Sequence, residues 1–223
     1  MRLNGKKWKW LWGLVLVLAW SAVAVIFYRT HGNLTAAQLL DFTPEDPLQA
    51  VLVMLGLFLL KSVDFMMHSG VLYTADGIMF PLPAALALNL LGAAIMVTPP
   101  YFLGRSLGRP VAQRLKEKYP KLANVEKLRL GNGFLTALLL RVTSLPLTFA
   151  SVYMGATDLP FRHYLTGSLV GLLPVIVSYS LMGAHAEKPA SPAFLSGVAL
   201  IVVTTVTSLL IYALLLRRAQ RGK

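Results

Sequence analysis

The sequence predicts an all-α integral membrane protein: an inverted repeat of two re-entrant helical hairpins with about four crossing helices. Three observations carry that expectation. The chain of 223 residues is 56% hydrophobic and only 13% charged, about half the charged share with which a soluble domain covers its surface. One passage recurs after 78 or 79 residues: Gly77, Gly92, Tyr101 and Gly104 return in the same order as Gly155, Gly171, Tyr179 and Gly183. Basic residues, finally, crowd into some of the segments between apolar runs and avoid others, which orients such a chain in a bilayer.

An apolar run needs about 20 residues to cross the hydrocarbon core. Trp8–Tyr28 meets that length, with aromatic anchors at both ends. It is too long for the apolar part of a signal peptide, and no small-x-small cleavage site follows. Leu82–Leu103, Tyr164–Gly183 and Phe194–Leu216 are further full-length candidates. Two other runs are interrupted. Leu48–Met67 carries Lys61 and Asp64 and leads into His68-Ser69-Gly70, whereas Phe134–Tyr153 carries Arg141, Thr143-Ser144 and Pro146.

Charge placement decides how these runs are threaded. Lys and Arg are concentrated in residues 2–9, in 105–129 and in 217–223, while the linkers around Asp41 and Glu187 hold few. Both termini and the central loop are therefore expected in the cytoplasm. With the ends of the chain so fixed, Leu48–Met67 must dip in from outside and return, and Phe134–Tyr153 must dip in from the cytoplasm. Six plain spans with weak charge bias are the alternative. The expected organisation is an N-terminal helix and extracytoplasmic linker (1–47), the inverted repeat (48–192), and a C-terminal helix with a basic tail (193–223).

Irregular backbone at membrane depth needs a protein or water lining, and charge there marks a pathway or a buried ion pair. The transport candidates are Arg141, Asp64 and Lys61, with Arg105 and Arg109 at the cytoplasmic entrance. Lys61 and Asp64 lie three apart, so a helix would let them pair. For Arg141 the candidate partners are Asp64, a carbonyl freed at the Pro146 break, or a lipid phosphate. Ser69, Gly70, Gly77, Ser144, Pro146 and Gly155 are the expected hairpin breaks. His68 reads as a helix cap and Asp76-Gly77 as a turn. Residues 109–129 space Val111, Leu115, Tyr119 and Leu122 as a helix lying on the inner leaflet, or else form a solvated basic linker.

The chain has no cysteine, which removes thiolate metal sites and Cys nucleophiles. No HExxH, GxSxG, P-loop or Asp-rich motif is present, so neither an enzyme nor a cofactor is expected. The net charge of +12 lies between apolar spans, which favours anionic lipid head groups over nucleic acid. Homo-oligomers are compatible with this reading.

Between Asp64 and Gly183 the sequence resembles the DedA/VTT membrane proteins, also called SNARE-associated Golgi proteins, and their TVP-like bacterial branch in particular. The resemblance rests on Gly77-x-x-Phe80, Gly104-Arg105-x-x-Gly108-Arg109, Leu140-Arg141 leading to Pro146, Met154-Gly155, Phe161-Arg162-x-Tyr164 and Gly171-Leu172-Leu173-Pro174. It implies opposed re-entrant hairpins in a bacterial inner membrane, and lipid translocation or scrambling that supports envelope homeostasis. The sequence departs from the family where His68-Ser69-Gly70 replaces a proline at the first hairpin tip, and where Leu147 replaces the second arginine of the DedA branch. The expected function is movement of a phosphate-bearing lipid between leaflets. An ion-coupled solute transporter or channel, and a non-transporting membrane organiser, are the alternatives.

Overall fold

The computed structural model describes residues 46–62, 68–119, 122, 132–142 and 145–221, with side chains in the last helix as far as residue 211. The expected span at Trp8–Tyr28 lies outside the described residues, as do Asp64 and Ser144. The described residues form eight helices and no strands: α1 (Pro47–Lys61), α2 (Ser69–Met79), α3 (Leu82–Leu107), α4 (Arg109–Lys118), α5 (Gly133–Val142), α6 (Leu147–Ala156), α7 (Phe161–Ala184) and α8 (Pro192–Arg221).

Three of them, α3, α7 and the Pro192–Ile211 part of α8, are long and apolar enough to cross a bilayer. Neither interrupted run is a single helix. Helix α1 opens on Asp46, whose carboxylate accepts from the Leu48 and Gln49 amides. It stops at Ser62, whose hydroxyl donates to the Leu59 carbonyl at 2.6 Å. Helix α2 restarts behind His68, where Nδ1 caps the helix by accepting from the Gly70 amide at 3.1 Å. In the second run α5 ends at Val142 and α6 restarts behind Pro146. At about 1.5 Å per residue, these pieces of 10 to 15 residues measure only about 15–23 Å, short of the ~30 Å hydrocarbon core.

Two of the expected breaks are corrected by this arrangement. Gly77 and Gly155 lie inside α2 and α6, and Asp76-Gly77 is helical, not a turn. These glycines are where helices cross. A Cβ on Gly155 would run into the Tyr101 carbonyl of α3, and one on Gly104 of α3 into the Val152 carbonyl of α6. Likewise Gly77 of α2 faces the Ser180 carbonyl of α7, and Gly183 of α7 faces the Thr74 carbonyl of α2. Each crossing joins a glycine from the first copy of the repeated passage to one from the second. Gly92 and Gly171 each receive a side chain from a helix outside the repeated passage: Gly92 takes the Phe58 ring of α1, and Gly171 takes the Arg141 Cβ of α5. Close approach through small residues is how helices associate where lipid removes the hydrophobic drive between them.

The distribution of polarity is that of a membrane protein. Asp76, Asn89, Ser151, Ser168, Ser178 and Ser180 are buried, whereas Leu48, Leu52, Leu91, Val202, Val203, Leu209 and Leu210 are each more than half exposed. The stretch 109–129 is helical over α4 and stops at Tyr119, ahead of Pro120, as the steric clash before a proline favours. Part of its apolar face packs inward. Ala112 and Leu115 are buried, α4 packs on α6, and the Tyr119 and Phe149 rings lie 5.3 Å apart under the Lys118 ammonium.

Substitution of the crossing glycines tests the packing. Gly104→Ala and Gly155→Ala should each cost about 1–3 kcal/mol through forced separation of α3 and α6, read as a lower unfolding temperature in detergent. Gly56→Ala, where a Cβ meets nothing within 4 Å, should be neutral or stabilise by up to about 1 kcal/mol. Equal effects at all three positions would disprove the crossing argument.

Candidate functional site

Arg141 is the penultimate residue of the short helix α5. Its Cβ rests on Gly171, which lets the guanidinium pass between α6 and α7. There Nη1 donates to the Leu147 carbonyl at 3.0 Å, and Nη2 donates to Ser151 Oγ at 2.9 Å and to the Tyr164 hydroxyl at 3.1 Å. Both hydroxyls are themselves oriented. Ser151 donates to the Leu147 carbonyl at 2.8 Å, and Tyr164 donates to the Val97 carbonyl of α3 at 2.6 Å. The guanidinium is thus held by neutral oxygens only, and its Nε–H lacks a partner among the described residues. Fixed charge, an open donor and, among the described residues, no carboxylate hydrogen-bond partner suit the site to an anion.

The Tyr164 ring stacks on Tyr101 with centroids 4.4 Å apart, and the Tyr101 hydroxyl donates to the Leu159 carbonyl at 2.5 Å. That bond pins the α6–α7 connection, in which Asp158 adopts a positive φ of 57°. Arg105 extends the chain of contacts outward, since its Nη1 donates to the Tyr101 hydroxyl at 3.1 Å. A chain of hydrogen bonds and one ring stack therefore runs from Arg105, exposed near the end of α3, to Arg141.

On the other side of the bundle, Asn89 of α3 is wedged between α2 and α7. Its amide nitrogen donates to the Tyr73 carbonyl at 3.1 Å and to Ser180 Oγ at 2.9 Å. Tyr73 packs against Phe58, with ring centroids 5.8 Å apart. Ser69, one turn earlier, is near enough to be felt at the Tyr73 hydroxyl but forms no hydrogen bond with it.

The other expected residues are spread around this centre. Lys61 is buried at the end of α1. Arg109 is exposed at the start of α4, just after Gly108 with its positive φ of 69°. Ser69 and Gly70 open α2, with Gly70 under the Tyr179 ring, and Pro146 opens α6. Of the partners offered for Arg141, a backbone carbonyl at the Pro146 break is in place, with Leu147 as the acceptor, while Asp64 lies outside the described residues. Sequence reasoning missed Tyr73, Asn89, Ser151, Tyr164 and Ser168. A signal was present: Tyr73 and Ser151 stand 78 apart, Asn89 and Ser168 79 apart, so the repeat carries polar positions as well as glycines. Among the described residues no three His, Asp or Glu side chains gather to hold a metal ion.

The VTT domain family matches residues 67–185, just over half of the chain. The matched stretch begins one residue before the His68 cap and ends at the C-cap of α7, so it contains both glycine crossings and the whole Arg141 network. Comparison with curated proteins and with solved structures returns no match. With its apolar exterior, broken apolar runs and matched stretch from α2 through α7, this chain is a membrane protein of the VTT-domain (DedA) family.

Proposed function

We propose that this chain lies in a bacterial inner membrane with both termini in the cytoplasm, and moves a phosphate-bearing lipid between leaflets. In this reading α1–α2 and α5–α6 are re-entrant hairpins entering from opposite faces, and the two copies of the passage form an inverted repeat. The observation that carries it is the Arg141 guanidinium, held by Leu147, Ser151 and Tyr164 with Nε left open. A fork oriented by neutral groups recognises a phosphate oxygen without first breaking an ion pair. Helix lengths support the hairpins, because pieces too short to span must return to the face they entered. Broken helices meeting near the bilayer centre are also where repeat-built transporters place their sites.

Arg105 and Arg109 would receive the headgroup at the cytoplasmic entrance. Lys61, at the other break, and Asp64, as counter-charge, would complete the path. No chemical step is required of these residues, so the protein would be a carrier, not an enzyme. An ion-coupled solute carrier would move its solute into vesicles without lipid movement, and an organiser would tolerate neutralisation of Arg141.

Two measurements test the proposal. In proteoliposomes, Arg141→Lys should slow lipid flip by about tenfold or more, since a compact ammonium lacks the bidentate fork. Arg141→Ala should abolish flip with protein yield retained. Normal flip by Arg141→Lys would remove the phosphate role. For the topology, Glu117→Cys and Glu187→Cys in this cysteine-free chain should react with an impermeant thiol reagent only from inside and only from outside, respectively. Labelling at 117 in intact cells would overturn the threading.

A further inference from the structure

The two long helices at the centre of the bundle carry prolines well inside their length. Pro99 and Pro100 lie within α3, and Pro174 lies within α7. A proline has no N–H, so the carbonyls of Ile95, Met96 and Val170 lose the amides that would close their turns. Side chains serve carbonyls beside these gaps. Thr98 donates to Ala94 at 2.7 Å, Tyr164 to Val97 at 2.6 Å and Ser178 to Pro174 at 2.6 Å. Each helix is therefore weakest at one turn, where helices bend most readily.

The packing divides at the same turns. Before its prolines α3 meets α1 and α2: Gly92 takes the Phe58 ring, and Asn89 donates to the Tyr73 carbonyl. Beyond them it meets α6, through Gly104 and the Tyr101 carbonyl. Helix α7 divides in the opposite order. Before Pro174 it meets α5, where Gly167 faces the Phe134 carbonyl and Gly171 the Arg141 side chain. Beyond it come α2, at Gly183, and α8, whose Gly197 faces the Ser178 carbonyl. Between the α1–α2 pair and the α5–α6 pair the described residues pack little directly, and each pair is held through α3 and α7.

Arg141 lies on this division. Tyr164, Ser168 and Gly171 share one stripe of α7, with Tyr164 on the guanidinium and Gly171 under the Arg141 Cβ. Ser168 Oγ and Arg141 Nε are both buried without a hydrogen-bond partner among the described residues. Asn89 meets Ser180 and Val97 meets Tyr164, so α3 and α7 run antiparallel and Ser168 stands opposite the turn that precedes Pro99. In the described state these donors are sealed, and they open only if α3 and α7 part at that level.

We propose that the bundle rocks as two bodies about the proline turns of α3 and α7. One body holds α1, α2, α8, the first half of α3 and the last part of α7. The other holds α4, α5, α6 and the remaining parts of α3 and α7. The Tyr164–Val97 hydrogen bond is the latch, since Val97 belongs to the α3 turn and Tyr164 to the body that carries Arg141. A cationic donor on the Tyr164 oxygen strengthens the bond that its hydroxyl gives to Val97, so an anion that draws Arg141 away loosens the latch. Any anion that engages Arg141 would act in this way, so the hinge does not rest on the lipid reading.

The test uses the full-length protein in lipid nanodiscs, with cysteine pairs added to this cysteine-free chain and spin-labelled for distance measurement. Leu52→Cys with Gln113→Cys spans the two bodies, and Leu52→Cys with Val203→Cys lies within one; all three sites are exposed. Tyr164→Phe removes the latch and should leave the internal pair unmoved. It should shift the spanning distance by about 5 Å, the displacement that a bend of about 20° gives over an arm of roughly 15 Å. Replacing Pro99, Pro100 and Pro174 together by alanine restores the amides and should cancel that shift. A spanning distance unmoved by Tyr164→Phe overturns the hinge, as does a shift that survives the three alanines or appears equally in the internal pair. If Tyr164→Phe yields no folded protein, the alanine variant decides alone, because its spanning distribution must narrow against that of wild type. Access gives a second reading. Ser168→Cys should react with a small thiol reagent about tenfold more slowly on the alanine background, and equal rates on the two backgrounds overturn the opening.

Discussion

The close crossing of backbones at Gly104–Gly155 and Gly77–Gly183 is the constraint on which the rest of the structure depends. A half-helix of about ten residues cannot hold itself in place, and in lipid no hydrophobic force presses it against a neighbour. What remains is contact area, and contact area grows as helix axes approach. Four missing side chains allow α6 to lie directly on α3 and α2 directly on α7. Because each crossing joins the two copies of the repeated passage, neither copy is complete without the other. The tyrosines then lock what the glycines permit, with Tyr101 fixed to Leu159 and Tyr164 to Val97.

This framework explains why charge is tolerated in the interior. Arg141 is paid for by three neutral acceptors that are themselves oriented, two of them hydroxyls whose protons point elsewhere. The arrangement keeps the guanidinium solvated by protein without neutralising it. Asn89 plays the opposite part on α3, using its two amide protons to tie α2 to α7. The bundle therefore keeps oriented polar side chains inside while large apolar ones face outward.

Much of this was legible in the sequence. Composition and run length gave the membrane class and the positions of α3, α7 and α8, because spanning length is set by bilayer thickness and shows in any count. The interruptions near residues 62–68 and 143–146 were legible from Lys61, His68 and Pro146, residues that a continuous apolar helix avoids. The role of the repeated glycines was not. Gly77 and Gly155 were taken for breaks because glycine does both jobs, and only the facing carbonyl tells a crossing from a turn. Asp76 was hidden for the same reason, since Asp-Gly is a turn pair by local preference and a buried acid only by tertiary placement. The partner of α4 was not legible, because an apolar stripe looks the same whether it meets lipid or α6.

The clasp between α4 and α6 gives the basic loop a mechanical meaning. Tyr119 and Phe149 share the Lys118 ammonium, and Ala112 and Leu115 are sealed beneath the helix. Arg109, Arg114, Lys116 and Lys118 are therefore not free counter-ions on a tether. They ride on the same rigid piece as Ser151, which holds Arg141. A tilt of α6 would therefore carry those cations with it, so that their position and the posture of the guanidinium share one mechanical coordinate.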